Sequence, residues 1–251
     1  PPSRRPHTPA PRPPLRLPPP PPAALAPAPA VPPELTHGDL HQVARARQLP
    51  LLGGFLRDVE VPYLPTSPPL LLLGPNEPAF WPHLQSEPEG RDGLPDPVDR
   101  WSARVIGGWA DEIQGKALYP FGGPPHLPFF EWATRTGRLH PSPILFLVHD
   151  RAGLFVSIRG ALALPVHIDL PTPPDAPCLT CTDQPCLSAC PVSALSGREY
   201  DVARCKSHIT TEDSVACMTS GCAARRACPV SRRFGRLPAQ SAYHMQRFIA
   251  P

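Results

Sequence analysis

Lysine is almost missing from this chain. Only Lys116 and Lys206 occur among 24 basic residues, the other 22 being arginine. The bases are nearly matched by 21 acidic residues, which leaves a net charge of +3. So small an excess gives no general attraction to a polyanion, so charge lends no support to an RNA substrate. No apolar run approaches the roughly 18 residues that a membrane-spanning helix requires, and no membrane association is expected. There is no charged-then-apolar leader, so the chain reads as cytoplasmic rather than secreted. The sequence has no GxGxxG, no phosphate loop and no HExxH, which removes the common dinucleotide, nucleotide and zinc-protease motifs. In a reducing compartment, eight cysteines are not expected to form a disulfide framework.

Proline is abundant, at 43 of 251 residues. It dominates the opening "PPSRRPHTPAPRPPLRLPPPPPAALAPAPAVPP", residues 1–33. Each proline there removes an N–H donor and fixes φ, and few large apolar residues accompany it. This segment is expected to be a disordered or polyproline-like tail.

Residues 34–170 read as an α/β layer domain within an overall α+β chain. His37 to Gln48 is expected to be a helix, followed by a short strand at "LPLLGGF" and a buried strand at Leu70 to Leu73. In "LPDPVDRWSARVIGGWADEIQGK" the residues Asp96, Pro97 and Asp99 suit an N-cap, a first turn and a capping box. Trp101, Val105, Trp109 and Ile113 would line one face of that helix. "KALYPF" reads as a strand and "LPFFEWATRTG" as a helix stopped by Gly137. "SPILFLVHDRAGLFVSIRGALAL" reads as two strands joined by a turn at His149 to Gly153. A helix is expected over residues 237–251.

All eight cysteines lie between Cys178 and Cys228, in the segment 171–236. Cys178, Cys181, Cys186 and Cys190 are separated by two, four and three residues and are followed by Pro191. Cys205, Cys217, Cys222 and Cys228 are followed by Pro229, and "ACPVS" ends both sets. Cysteine runs that close on Cys-Pro are typical of two-cluster ferredoxins, where the fourth cysteine of each run ligates the other cluster. The expected partition is Cys178, Cys181, Cys186 and Cys228 on one 4Fe-4S cluster, with Cys190, Cys205, Cys217 and Cys222 on the second. A four-thiolate zinc module is a competing reading, although zinc sites usually present two CxxC knuckles and only one occurs here. Arg225, Arg226, Arg232, Arg233 and Arg236 crowd the second Cys-Pro, where they would screen cluster charge or meet an acidic redox partner protein.

The stretch "CLTCTDQPCLSACPVSAL…YDVARCKSHITTED…GCAARRACPV" resembles the double-cluster module of epoxyqueuosine reductase. "GRLHPSPILFLVHDRAGLFVSIRGALALP" resembles the paired strands preceding that module, so the resemblance spans roughly residues 137–230. The first cysteine loop is two residues longer here, and the second set has no CxxC. The resemblance implies iron–sulfur electron transfer to cobalamin bound by the N-terminal domain, and a possible reductase activity. It places Asp99 at the catalytic acid, without the histidine that accompanies that acid in the family. Two glycine pairs are the candidates to approach a flat corrinoid, Gly107-Gly108 within the best helix and Gly122-Gly123 in a loop after a strand. A stand-alone ferredoxin-like carrier, whose N-terminal part is a scaffold, is the alternative. His37 and His41 share a helix face and read as solvated.

Overall fold

The computed structural model describes residues 35–56 and 69–250. The proline-rich opening lies outside the described residues. The first part of the fold runs α1 (His37–Ala46), β1 (Leu51–Phe55), β2 (Leu70–Leu73), α2 (Phe80–Ser86), α3 (Pro88–Arg91), α4 (Pro97–Glu112), β3 (Lys116–Leu118) and α5 (Phe129–Arg135). It continues through β4 (Leu139–Pro141), β5 (Leu147–His149) and β6 (Gly160–Ala163). The cysteine-rich part carries α6 (Val202–Ile209), α7 (Val215–Ser220), α8 (Ala223–Ala227) and α9 (Pro229–Arg233), and α10 (Pro238–Ile249) follows. Helix and strand are mixed, as expected, and the described helices include none long and apolar enough to cross a membrane.

The main sheet has the order β1-β2-β6-β3, with every pairing antiparallel. Its centre is the four-leucine run of β2, all fully buried. Side chains alternate across a strand, so the run serves two cores. Leu71 and Leu73 face α1, α2 and α4, with Trp101, Ile106 and Trp109. Leu70 and Leu72 pack with Phe55, Phe129 and Trp132 on the other side. An apolar run with no polar alternation is what a sheet covered on both faces requires.

Three expectations change. The turn at His149 to Gly153 forms, closed by hydrogen bonds of 3.1 and 2.9 Å, but the strands flanking it are not partners. β5 pairs with β4 in a separate two-stranded sheet, while β6 enters the main sheet. Asp96 occupies the N-cap of α4 in a left-handed conformation, φ 53°, and its side chain caps nothing. That carboxylate instead accepts a 2.5 Å hydrogen bond from Arg247 of α10. Asp99 likewise completes no capping box, because Arg159 claims it.

Candidate metal centre

The cysteines are held by short elements. Cys178 lies in a 3-10 turn, Pro177–Thr180, and Cys186 in another, Pro185–Leu187. Cys205 lies on α6, whose N-cap Asp201 accepts from the Arg204 amide at 2.8 Å. Cys217 lies on α7, and Cys222 and Cys228 sit at the N-cap positions of α8 and α9. Pro191 and Pro229 diverge in role. After Cys190 the chain makes a turn, with Ser193 at φ 52° and its amide donating to the Cys190 carbonyl at 3.1 Å. After Cys228, proline opens a helix, where its missing N–H costs nothing. Ser231 of the second "ACPVS" then accepts from the Leu154 amide at 2.8 Å. A Cβ on Gly153 would lie 2.4 Å from the Ser231 nitrogen, so glycine permits this contact. The repeat is therefore shared at Cys-Pro and not beyond it.

Cys178, Cys181, Cys186 and Cys228 line one cavity of about 150 Å³. Cys190, Cys205, Cys217 and Cys222 line another of about 330 Å³. The fourth cysteine of each run thus stands in the cavity of the other. All eight are free thiols. Val148 of β5 and Leu154, just past the turn after it, wall the smaller cavity beside Pro177 and Pro229. Phe146, Tyr200, His208, Arg225, Arg236, His244 and Phe248 join the larger. Burial raises the Cys178 thiol pKa, and Cys186, Cys228 and Cys181 add to it. Burial also raises Cys205, where Cys222, Cys190 and Cys217 act in the same direction. Cys178 and Cys205 each feel the other three of their own set. Crowded thiolates repel, and a bound cation reverses that cost.

Among the described residues, no three His, Cys, Asp or Glu side chains converge on a single ion. A tetrahedral zinc site with Zn–S near 2.3 Å would draw its sulfurs to about 3.8 Å from one another. Each cavity presents four thiols, the donor number that a four-thiolate zinc ion or a 4Fe-4S cluster requires.

The basic cluster is divided between the two cavities. Arg225 and Arg236 line the larger and Arg233 the smaller. The Arg225 guanidinium lies 4.8 Å from the Phe146 ring centroid. Arg236 reaches back to the N-terminal half, donating to Glu77 at 3.1 Å, with both side chains buried. Burial, followed by the charges of Arg236, Arg159 and Arg225, pushes the His244 pKa down to about 3, so this imidazole is neutral. Spacing did not single out Tyr200, His208, His244 or Phe248, because nothing in their local sequence marks them.

Of the residues expected to serve a corrinoid, Asp99 and Gly107 are engaged by other side chains. Asp99 accepts from Arg159 at 2.9 Å. A Cβ on Gly107 would lie 3.2 Å from the Tyr119 hydroxyl, which donates to the Ala103 carbonyl at 3.0 Å. Tyr119 therefore fills the approach that Gly107 permits. Gly108 is exposed, and a Cβ there would meet nothing within 4 Å. Gly122 and Gly123 lie in an exposed loop where a Cβ also meets nothing, and Gly122 is explained by its φ of 108°. That loop follows a strand of an antiparallel sheet, so the ligand-binding rule for open parallel sheets does not apply. Gly122 and Gly123 line an open cavity of about 330 Å³ with Tyr119, Phe121 and His126, and Asp99, Gly107 and Gly108 are not among its lining residues. No family model, curated protein or solved structure matches the chain.

Proposed function

We propose that this protein carries two 4Fe-4S clusters in a ferredoxin-like module and works as an electron-transfer protein. One observation carries the reading: eight free cysteines sort four and four around two cavities, with the Cys-Pro cysteines exchanged. Cys178, Cys181, Cys186 and Cys228 would hold one cluster, and Cys190, Cys205, Cys217 and Cys222 the other. Such clusters, when bound, pass single electrons at potentials set by charge, hydrogen bonding and exposure. The protein's own part is to supply thiolates, shield them and compensate their charge. Val148, Leu154, Phe146 and Phe248 exclude water from the cavities, and Arg225, Arg233 and Arg236 supply positive charge. The Ala194 amide donates to the Cys190 sulfur at 3.3 Å. Leu179, between two of the cysteines and 77% exposed, gives a redox partner protein an apolar contact beside the smaller cavity. Free thiols suit a reducing compartment such as the cytoplasm.

The resemblance to epoxyqueuosine reductase supports the same module, because the hairpin that shares it supplies walls of the smaller cavity. A reductase activity through cobalamin is not part of this proposal. The test is chemical. Protein purified without oxygen should be brown and contain about eight iron and eight sulfide per chain, as two cubanes require. Zinc in place of iron, with no sulfide, would overturn the reading.

A further inference from the structure

A second site of positive charge lies among the N-terminal elements and uses none of the cysteines. His37 and His41, one turn apart on α1 with ring centroids at 6.2 Å, open onto a cavity of about 120 Å³. Arg138 enters it from the bend just before β4, and Arg151 from the turn after β5. β1 contributes Gly53, at an irregularity in its pairing with β2. A Cβ on Gly53 would lie 2.9 Å from Thr136 Cβ and 3.3 Å from Arg138 Cδ, and its φ is 151°. Glycine here lets the Arg138 stem reach the cavity.

The charges are not balanced locally. Asp150 acts on Arg151 but is already engaged by Arg138 at 2.5 Å and His149 at 2.9 Å. Burial pushes the Asp150 carboxyl up, yet the bonds from His149 and Arg138 outweigh it and hold the carboxyl well below its ordinary range. Among the described residues, no carboxylate pairs with Arg151 or Arg45. Burial lowers the His41 pKa first, and the charges of Arg151 and Arg45 lower it further. Thr136 is not free to bind, since its hydroxyl donates to the Ala133 carbonyl at 2.7 Å.

We propose that this cavity binds a phosphate monoester group, with Arg138 and Arg151 as charged anchors and His37 and His41 as further polar contacts. Groups arriving from α1, the bend before β4 and the turn after β5 surround a tetrahedral oxyanion better than a flat carboxylate, which one guanidinium fork would satisfy. The cavity has room for one phosphoryl group, and the exposed Arg151 among its walls leaves the rest of an ester outside.

The test uses the full chain and isothermal titration calorimetry. Inorganic phosphate and glycerol 3-phosphate are titrated separately, with glycerol as the control. The ester should bind saturably and at least as tightly as free phosphate. Arg151→Gln should weaken it roughly tenfold or more, about 1.4 kcal/mol, with an unchanged melting temperature. His41→Gln, at a half-buried position on α1, should weaken it by a smaller factor. The inference is overturned by no saturable ester binding, by binding of free phosphate alone, or by unaltered affinity in Arg151→Gln.

Discussion

Replacing Arg236 by methionine tests how the cysteine-rich part is fastened to the sheet. Arg236 and Glu77 are 159 residues apart in sequence, and their side chains are 6% and 0% exposed. Their pairing is incomplete, because Glu77 Oε2, Arg236 Nε and the Gln240 amide have no hydrogen-bond partner. Burial raises the Glu77 pKa, against the pull of Arg236. Methionine keeps the packing volume but strips Glu77 of its counter-ion. Breaking a buried pair in this way costs about 3–5 kcal/mol. The cost depends on pH. With a folded pKa above its unfolded value, Glu77 holds a proton in the folded state that the unfolded state releases. Its unfavourable contribution therefore grows as pH rises through the window above 4.5 and fades on acidification. Removing Arg236 raises that pKa further, so the deficit of Arg236→Met should be largest near neutrality and shrink toward about pH 5. Adding Glu77→Gln should recover much of the loss, since a neutral pair carries no stranded charge. Urea unfolding of the full chain, without oxygen and at both pH values, measures this. A deficit below about 1 kcal/mol, as for a surface pair, or one that grows as pH falls, would refute the reasoning.

Two further outcomes follow from the cysteine cavities. Cys228→Ser should remove the cluster of Cys178, Cys181 and Cys186 and leave about four irons per chain, whereas Cys190→Ser should remove the other; electron paramagnetic resonance of the remaining cluster should differ between the variants, and identical spectra would sink the partition. Arg225→Gln takes a positive charge from the wall of the larger cavity, so potentiometric titration should show one reduction wave moving to lower potential and the other unmoved; movement of both, or of neither, contradicts the assignment of Arg225 to one site.

The sequence announced these sites unevenly. The four leucines of β2 and the tryptophan face of α4 follow from periodicity, and both lie in the core as expected. Cys-Pro suggested that Cys190 and Cys228 would each stand with the other run, and the two cavities group the cysteines that way. β4 was not assigned from the residues, because the prolines in "LHPSP" mask so short a strand. Pro141 ends that strand, at the edge of a two-stranded sheet, where an absent N–H is tolerated. Missing β4 made β5 and β6 look like each other's partners. Asp96 had every local mark of a cap, yet Arg247 offers it a charged partner from 151 residues away. The same is true of Asp99 with Arg159. Local signals specify local structure, and a long-range arginine can override them without leaving a pattern in the sequence. Cavity walls such as His244 and Phe248 also escape sequence reading, because α10 packs against α7 and brings them there from a distance.

The exchange of Cys190 and Cys228 has a consequence for assembly. If each run closed its own site, the two halves could form independently, and a stable half would survive loss of the other. Here neither set of four is complete without a residue from the opposite run. Closing the smaller cavity spans the chain from Cys178 to Cys228, which encloses the whole of the larger site's ligand sequence. Loop-closure entropy grows only slowly with length, so the long span adds little cost over a short one. The gain is coupling. Ser231 holds the chain just after Cys228 to Leu154 at the β5 turn, and Arg236, five residues on, holds it to Glu77. A single stretch after the second Cys-Pro therefore closes one site, contributes Arg236 to the wall of the other and fastens both to the sheet. Were the proposed clusters bound, their binding free energy would add to folding, and in this arrangement it would be shared by the cysteine-rich part and the elements that Leu154 and Glu77 belong to.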